Sequence, residues 1–452
     1  MFKRSILLSL FVASLFVACT PAEKPLEKKQ SKVVHPEWSK NASIYEVNIR
    51  QYSEEGTFNA FREDLPRLKE MGVKILWLMP IHPIGEINRK ETTESRGSYY
   101  SVADYKKVNP NFGTEEDFKM LVDEAHKMGF KLIIDWVANH SAWDNPWTEN
   151  KDWYELTEEG NFMPPRGTDW SDVIQLNYEN EEMRAAMLDA LEYWVREFDI
   201  DGYRADVAGM VPTDFWVNAR TQLDKIKPVF MLAEDGEPEL LYEAFDMNYA
   251  WDYAYTIREI AKGEQTFADL DSLFERDSKR FPDNAYRMYF TSNHDENSWN
   301  GTDTEMYGVN FENFAVLSAT VSGMPLIYNG QESGLDKRLK FFEKDEIEWK
   351  DYKYQDFYTT LIGLKRDEQA LWNGDFGGTL EILEMPEGLY AYKRVKDESE
   401  IVVVLNFNNE RTKVNLADVD VNEDYTTYNT SQLMVTSEEI SFGPNEWVIF
   451  VK

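Results

Sequence analysis

The sequence is poor in cysteine, in histidine and in positive charge. Its single cysteine, Cys19, has no partner for an internal disulfide. Only five histidines are present and no HExxH pattern occurs, so a histidine-based zinc site is not expected. The 48 basic residues stand against 82 acidic ones, and the resulting net charge of −34 argues against nucleic-acid binding and against a polybasic membrane patch.

Nucleotide-binding motifs are also missing. The sequence has no Walker loop and no dinucleotide fingerprint, so phosphoryl transfer and hydride transfer lose support. The hydrophobic content of 42% and the aromatic content of 14% fit a globular chain, and 452 residues leave room for more than one domain.

The N-terminus has the pattern of an export signal. A charged start precedes an apolar stretch, Ser5 to Ala18, which is too short to span a bilayer comfortably and ends at Cys19. Leu15 to Cys19 resembles a bacterial lipoprotein signal, in which the cysteine is lipidated; an ordinary cleaved signal with an incidental cysteine is the alternative. We expect a signal peptide over 1–18, a flexible tether over 19–38, and an extracytoplasmic protein held at the outer membrane or cell surface by a lipid on Cys19.

The middle of the chain alternates between strand and helix patterns. About eight strand-like runs separated by amphipathic helices extend over some 330 residues, which favours parallel βαβ units. Both an eightfold barrel and a doubly wound sheet fit this alternation. A segment at 141–175, rich in Trp, Pro and Gly, interrupts it, and beyond residue 372 short alternating runs predict a small all-β domain.

Charged and polar residues follow several of the predicted strands. Such clusters at the carboxyl ends of successive parallel strands are typical of a barrel active site. They contain carboxylates, and no Ser–His or Cys–His arrangement accompanies them, which indicates acid/base or covalent carboxylate chemistry. The clusters are Asp135–His140, Arg204–Asp206, Glu234–Asp235 and Asn293–Asp295.

These clusters resemble, in order and spacing, the signature regions of the α-amylase family of glycoside hydrolases (family 13). The resemblance covers roughly residues 40 to 450. The matching segments are Asp135–His140, Gly202–Asp206, Ala233–Glu234 and Phe290–Asp295, with supporting matches at Tyr100–Tyr105, Phe112–Thr114, Gln175–Asn177 and Gly323–Glu332.

The resemblance implies an α/β fold. A (β/α)8 barrel would occupy 39–372, with a short domain B insert at 141–177, and an antiparallel β-sandwich would occupy 373–452.

The resemblance also implies roles for individual residues. Asp206 would be the nucleophile, Glu234 the general acid and base, and Asp295 the third carboxylate, which grips the sugar. The remaining implied residues are the stacking platform Tyr100, the hydrogen-bond donors His140 and His294, the guanidinium partner Arg204 and its support Asp135.

Two departures from the family pattern bear on specificity and on metal binding. The Lys-His pair that commonly follows the nucleophile region is replaced by Gly209 and Met210, which puts a narrow α-amylase specificity in doubt. Asn139 matches a calcium ligand of the family, but Gln175 stands where an aspartate is often found. A structural calcium at Asn139 is therefore left open, with Asp169 and Asp172 as substitute ligands, and no cofactor is expected for the chemistry.

We therefore predict a retaining hydrolase that cleaves α-1,4 bonds of starch-like α-glucans and maltooligosaccharides. A cyclomaltodextrinase or neopullulanase, an α-glucosidase and a transglycosylase of the same family are the alternatives. A non-catalytic glycan-binding lipoprotein is a further alternative, against which the joint presence of Asp206, Glu234 and Asp295 counts. The oligomeric state is left open. Trp143, Trp147, Trp170 and Trp299 are candidate sugar platforms.

Overall fold

The computed structural model describes residues 29–90, 94–429, 434–436 and 438–452. At its centre is a closed barrel of parallel strands in which spatial order follows sequence order, and the last strand closes on the first through Ile44 opposite Leu326 and Tyr45 opposite Ile327. The predicted barrel is therefore confirmed, and the doubly wound sheet is not formed. The strands are β1 (Ile44–Val47), β2 (Ile75–Leu78), β3 (Lys131–Trp136), β4 (Gly202–Ala205), β5 (Phe230–Ala233), β6 (Met247–Tyr249), β7 (Tyr286–Tyr289) and β8 (Met324–Tyr328).

The strands are buried along nearly their whole length, which is why they read as short apolar runs without polar alternation. The helices between and after them are amphipathic. In α4, a capping box between Thr114 and Asp117 begins the helix and Gly129 ends it in a left-handed conformation. The helices are α1 (Ile49–Tyr52), α2 (Phe58–Arg62), α3 (Leu65–Met71), α4 (Glu115–Met128), α5 (Glu181–Phe198), α6 (Thr213–Ile226), α7 (Trp251–Lys262), α8 (Phe267–Arg280), α9 (Asp303–Tyr307), α10 (Phe311–Thr320) and α11 (Gln355–Asp367).

The insert after β3 contains two short antiparallel strands, His140–Ala142 and Val173–Gln175, with His140 opposite Gln175. Two short 3-10 helices, Pro146–Glu149 and Lys151–Trp153, lie between them. The insert thus begins directly at the carboxyl end of β3, so its first residue, His140, stands at the mouth of the barrel.

The C-terminal part forms two antiparallel sheets, which confirms the predicted β domain. Apolar side chains of both sheets, among them Val402, Ile440 and Phe450, share one buried core. The five-stranded sheet contains Thr379–Leu383, Leu389–Lys396, Ser399–Asn406, Trp447–Val451 and Thr426–Asn429, and the three-stranded sheet contains Thr412–Asn415, Glu439–Phe442 and Met434–Val435.

The segment before the barrel differs from the prediction of a flexible tether that reaches residue 38. The side chain of His35 is only 4% exposed, lies 2.7 Å from the Asp246 carboxylate, and stacks on Tyr286 with ring centroids 4.2 Å apart. The connection between β5 and β6 contains the short 3-10 helix Glu239–Tyr242 in place of a long helix. Residues 31–36 pack against this side of the barrel, through Ser31 to Leu241 and through His35 to Asp246. The tether is therefore shorter than predicted at its C-terminal end.

The predicted signal peptide, Cys19 and the start of the tether lie outside the described residues. Within the part of the chain that the structure describes, no helix is long and apolar enough to cross a membrane.

Candidate active site

A buried arginine organises the carboxylates at the mouth of the barrel. Arg204 lies on β4, and its Nη1 donates to Asp135 Oδ1 at 2.8 Å and to Asp206 Oδ1 at 3.1 Å. Its Nη2 lies 3.0 Å from Glu234 Oε2, and its Nε donates to the Tyr249 hydroxyl at 3.1 Å. One planar guanidinium thus fixes carboxylates from three neighbouring strand ends, which a point charge could not do.

The negative charge around Arg204 exceeds its single positive charge. Burial and the charge of Glu234 raise the pKa of Asp206 well above its usual value, while Arg204 lowers it. Burial likewise raises the pKa of Asp135 to about 6 against the opposing effect of Arg204. Asp206 and Glu234 contact the same guanidinium in one cleft, so the charge of Glu234 lies close enough to disfavour a charge on Asp206.

The backbone after Asp206 adopts a conformation that is unusual for a β-branched residue. Val207 has φ 37° and ψ 48°, in the left-handed region that valine rarely enters. In this conformation its N–H donates to Glu234 Oε2 at 2.7 Å. The same oxygen receives the Arg204 contact, so both donors to Glu234 meet at Oε2.

A second buried cluster flanks the opposite side of the cleft. His294 Nδ1 lies 2.5 Å from Glu46 Oε1, and its Nε2 lies 2.7 Å from the Tyr100 hydroxyl and 3.3 Å from Asp295 Oδ2. The Tyr100 hydroxyl also donates to Asp135 Oδ2 at 3.2 Å, which joins this cluster to the arginine.

His140 lies beside Asp206 and is uncharged. Burial lowers the pKa of His140 to about 3, so its ring is neutral at neutral pH. Its Nδ1 lies 3.1 Å from the Asn139 Nδ2 group, which is a donor, so the proton of the neutral ring is on Nε2. That nitrogen lies 3.9 Å from Asp206 Oδ2 and can donate into the cleft.

Residues 39–369 match the family model described as alpha amylase, catalytic domain. The chain belongs to the alpha-amylase family. It is a glycoside hydrolase of that family, as the resemblance of its strand-end clusters implies.

Named relatives agree with this family. The alpha-amylase MalA of Haloarcula japonica is 28% identical over 84% of this chain, which spans 57% of that relative's length. A cyclomaltodextrinase of Thermoanaerobacter pseudethanolicus is 25% identical over 86% of this chain and 74% of its own length. The crystal structure of an alpha-amylase from Lactobacillus plantarum superposes with a TM-score of 0.80 at 30% identity, covering 92% of this chain and 99% of the other.

The structure brings most of the predicted catalytic and sugar-contacting residues together around one cavity of about 370 Å³. His294 does not line this cavity but contacts Tyr100 and Asp295, which do. Asp206, Glu234 and Asp295 line it, and Asp135 lies beneath them through its contact with Arg204. Trp170 and Trp299 also line this cavity. The other two candidate tryptophans pack within the insert, Trp143 against Phe162 and Trp147 against Trp153.

Several site residues are absent from the sequence-based prediction. Lys90, Phe341 and Phe342 line the cavity from loops whose sequence has no regular period. Glu46 and Tyr249 lie on barrel strands, and a signal for Glu46 was available, since an acid inside a fully buried strand is rare without a partner.

The structure shows why position 209, where the family commonly has a lysine, is a glycine here. A Cβ at Gly209 would lie 2.0 Å from Asp235 Oδ2, so the Asp235 carboxylate occupies the space that a side chain at position 209 needs. Met210 is 42% exposed. The position of the family's lysine is therefore closed here unless the Asp235 carboxylate moves.

The residues around Asn139 do not fit a divalent cation. Gln175 Nε2 donates to Asn139 Oδ1 at 2.9 Å and to the Asn139 backbone oxygen at 3.0 Å, so an amide N–H₂ group occupies both oxygens. A hard cation prefers several oxygen ligands including carboxylates. Asp169 and Asp172, the suggested substitutes, line the substrate cavity instead, and within the described residues no group of three or more His, Cys, Asp or Glu is arranged to hold a metal.

Proposed function

We propose that this protein hydrolyses α-1,4-glucosidic bonds of starch-like α-glucans and maltooligosaccharides with retention of the anomeric configuration. The observation that carries the proposal is the joint contact of Asp206 and Glu234 with the Arg204 guanidinium at the floor of the cavity. Retaining glycosidases need two carboxyls close to one glycosidic bond, one as nucleophile and one as proton donor.

In the first step, Asp206 attacks the anomeric carbon as a carboxylate. The bond from that carbon to the glycosidic oxygen breaks, and Glu234 transfers its proton to the leaving oxygen. This step needs the proton on Glu234, and both donors to this carboxyl meet at Oε2, which leaves Oε1 to carry the proton. The products are a glycosyl ester on Asp206 and a neutral leaving sugar.

In the second step, Glu234 acts as the base. It removes a proton from a water molecule, whose oxygen attacks the anomeric carbon, and the ester bond to Asp206 breaks. Two inversions at one carbon retain the configuration, and the enzyme regains its carboxylate at Asp206 and its proton at Glu234.

The remaining cavity residues bind the sugar at the bond to be cleaved. Asp295 accepts hydrogen bonds from secondary hydroxyls, and the neutral His140 donates through Nε2. His294 contacts both Tyr100 and Asp295 through Nε2 and so holds them beside the sugar. Tyr100, which stacks on Phe341 at an interplanar angle of 14°, supplies an aromatic face for the sugar ring.

A second candidate substrate class is short or cyclic glucans, as in the relative named cyclomaltodextrinase. The cavity of about 370 Å³ is near the lower end of the roughly 300–1,000 Å³ typical of ligand pockets. The closed space at Gly209 also removes a long polar side chain from the side of Glu234, where the leaving group lies. Relative rates on maltoheptaose and β-cyclodextrin distinguish the two classes.

The decisive experiment follows products and their anomeric configuration by NMR. Wild type is expected to release α-configured products from maltoheptaose, and Asp206→Asn is expected to be inactive. Glu234→Gln should lose roughly 10²–10⁴-fold on maltoheptaose but far less on α-maltosyl fluoride, because fluoride leaves without protonation.

A matched control is Asp303→Asn, which changes a carboxyl whose Oδ1 is buried and whose Oδ2 accepts from Gln331 outside the cavity. This variant should keep the rate on both substrates. Release of β-configured products, or a Glu234→Gln variant with unchanged turnover, refutes the assignment.

We also propose that the protein is lipid-anchored through Cys19 outside the cytoplasm. The charged start, the apolar run and the cysteine at its end support this. Labelled palmitate should be incorporated into wild type and not into a Cys19→Ala variant. Equal labelling of both proteins contradicts the anchor.

A further inference from the structure

We propose that Glu46 is a positioning residue that holds His294 as an imidazolium, with both ring nitrogens as donors, beside the sugar at the bond to be cleaved. Its effect on turnover rests on the proposed hydrolase function, whereas the charge of His294 can be measured without any substrate.

Glu46 occupies a place where a carboxylate is costly. It lies in β1, whose residues are all buried, and it is itself fully buried. Its Oε1 lies 2.5 Å from His294 Nδ1, and its Oε2 has no hydrogen-bond partner among the described residues. Burial raises the pKa of Glu46 and a positive charge on His294 lowers it, so the carboxylate form of Glu46 is favoured by a charged His294.

The hydrogen bonds of Tyr100 fix the other ring proton. Its hydroxyl has one proton, which it donates to Asp135 Oδ2 at 3.2 Å. Asp135 accepts from Arg204 at 2.8 Å through its other oxygen, as an ionised carboxylate does. The Tyr100 oxygen must therefore accept from His294 Nε2, which lies 2.7 Å away. Since Nδ1 faces a carboxylate and Nε2 faces this acceptor, both nitrogens of His294 carry protons.

The groups that face this pair come from eight segments, one of which is that of His294 itself. The charged ones are Asp295 on the segment of His294 itself, Asp135 on β3 and Arg204 on β4. Tyr249 and Tyr328 interact with Glu46 from β6 and β8. The remaining neighbours of His294 are the Tyr100 ring and hydroxyl and the Trp77 and Phe341 rings.

These groups favour the cation despite burial. Burial lowers the pKa of His294, but Asp295 and Glu46 raise it more, to about 9. Arg204 opposes this increase, so without Glu46 the remaining anions, Asp295 and Asp135, must act against both burial and the guanidinium. His294 is therefore charged below about pH 9 in wild type and is expected to become neutral near neutral pH once Glu46 is neutralised.

The cation serves the site in two ways. Its Nε2 is 3.3 Å from Asp295 Oδ2, so its positive charge orients this carboxylate for the sugar hydroxyls. It also provides a donor at Nε2 that a neutral ring protonated on Nδ1 would lack. Loss of the charge on His294 should therefore make kcat fall at a lower pH on the alkaline side of its pH profile.

The first test measures the charge directly. With only five histidines, the ring nitrogens of ¹⁵N-histidine-labelled protein can be resolved by NMR, and a His294→Asn variant assigns the signal. We expect two protonated nitrogens on His294 at pH 7.5 in wild type and one in Glu46→Gln. A His294 titration that is unchanged in Glu46→Gln overturns the proposal.

The second test measures kcat and KM on maltoheptaose against pH. Glu46→Gln should shift the alkaline limb of kcat toward lower pH by at least about one unit, and Glu46→Asp, which keeps the charge, should restore most of this shift. If Glu46→Gln does not fold, the comparison of Glu46→Asp with wild type in both tests decides. If His294 is neutral in Glu46→Asp while the alkaline limb of kcat stays where it is in wild type, the proposal is overturned.

Glu332→Gln is the matched control for loss of a buried glutamate. Glu332 is fully buried and contacts Arg67 at 3.0 Å and the Tyr45 hydroxyl, away from the ring of His294. The Glu332→Gln variant should have a lower melting temperature and an unchanged alkaline limb of kcat. An equal shift of that limb in Glu332→Gln and Glu46→Gln would mean a general structural effect and would overturn the role of Glu46. If wild type cleaves no α-glucan, the proposed function fails while the NMR test of His294 still stands.

Discussion

Replacing Arg204 with lysine tests whether the guanidinium geometry, and not only its charge, organises the site. Arg204 uses Nη1, Nη2 and Nε to reach three carboxylates and the Tyr249 hydroxyl over 2.8–3.1 Å. A lysine ammonium keeps the charge but presents its donors from one atom, so it cannot reach both Asp206 and Glu234. Breaking one buried charge pair costs about 3–5 kcal/mol. If the transition state bears most of this cost, kcat falls by roughly 10²–10³-fold.

The assay combines kcat on maltoheptaose, its pH profile and thermal unfolding. In Arg204→Lys the opposing effect of the guanidinium on the pKa of Asp206 is weakened, so the acid limb of kcat should move to higher pH. The control Arg220→Lys changes another buried arginine, which contacts Asp224 at 2.7 Å and Asp246 at 2.8 Å away from the cavity. It should lose stability without a shift of the acid limb. A kcat of Arg204→Lys within threefold of wild type would refute the reasoning.

Three further predictions concern other parts of the chain. EDTA should leave the melting temperature of wild type unchanged, because the Gln175 amide occupies the oxygens a cation would need, and EDTA-induced unfolding would contradict this. In Gln175→Glu, added calcium should raise the melting temperature. Gly209→Ala should reduce kcat/KM, since its Cβ meets the Asp235 carboxylate, and Asp235→Ala in the same chain should recover part of the loss; additive losses in steady-state kinetics would show no contact. His35→Ala should lower the free energy of unfolding by about 1–3 kcal/mol in urea titrations, with kcat unchanged; an unaltered midpoint would show that the segment adds no stability.

Much of the fold follows from local patterns. Short apolar runs that alternate with amphipathic helices indicate parallel βαβ units, because both faces of such strands are buried. The candidate acids Asp206 and Glu234 follow β4 and β5 directly, and parallel strands bring their carboxyl ends to one edge. Residue type and sequence position were therefore enough to place these side chains near one another.

Barrel closure could not be deduced from the same patterns. The alternation equally fits an open sheet, and the pairing of β1 with β8 joins residues near opposite ends of the barrel sequence. The contact of His35 with Asp246 spans 211 positions, and no local signal distinguishes such a segment from a free tether.

The family, the succession of strands and helices and the candidate acids can be predicted from the amino-acid sequence, because these depend on residue type and near neighbours. Which groups share a proton or compete for space depends on contacts between distant residues. Glu46 and His294 lie 248 positions apart, and Gln175 meets Asn139 across the insert. The charge of His294 and the closed space beside Gly209 depend on such contacts, because a side chain's pKa and freedom to move are set by the atoms that folding brings against it.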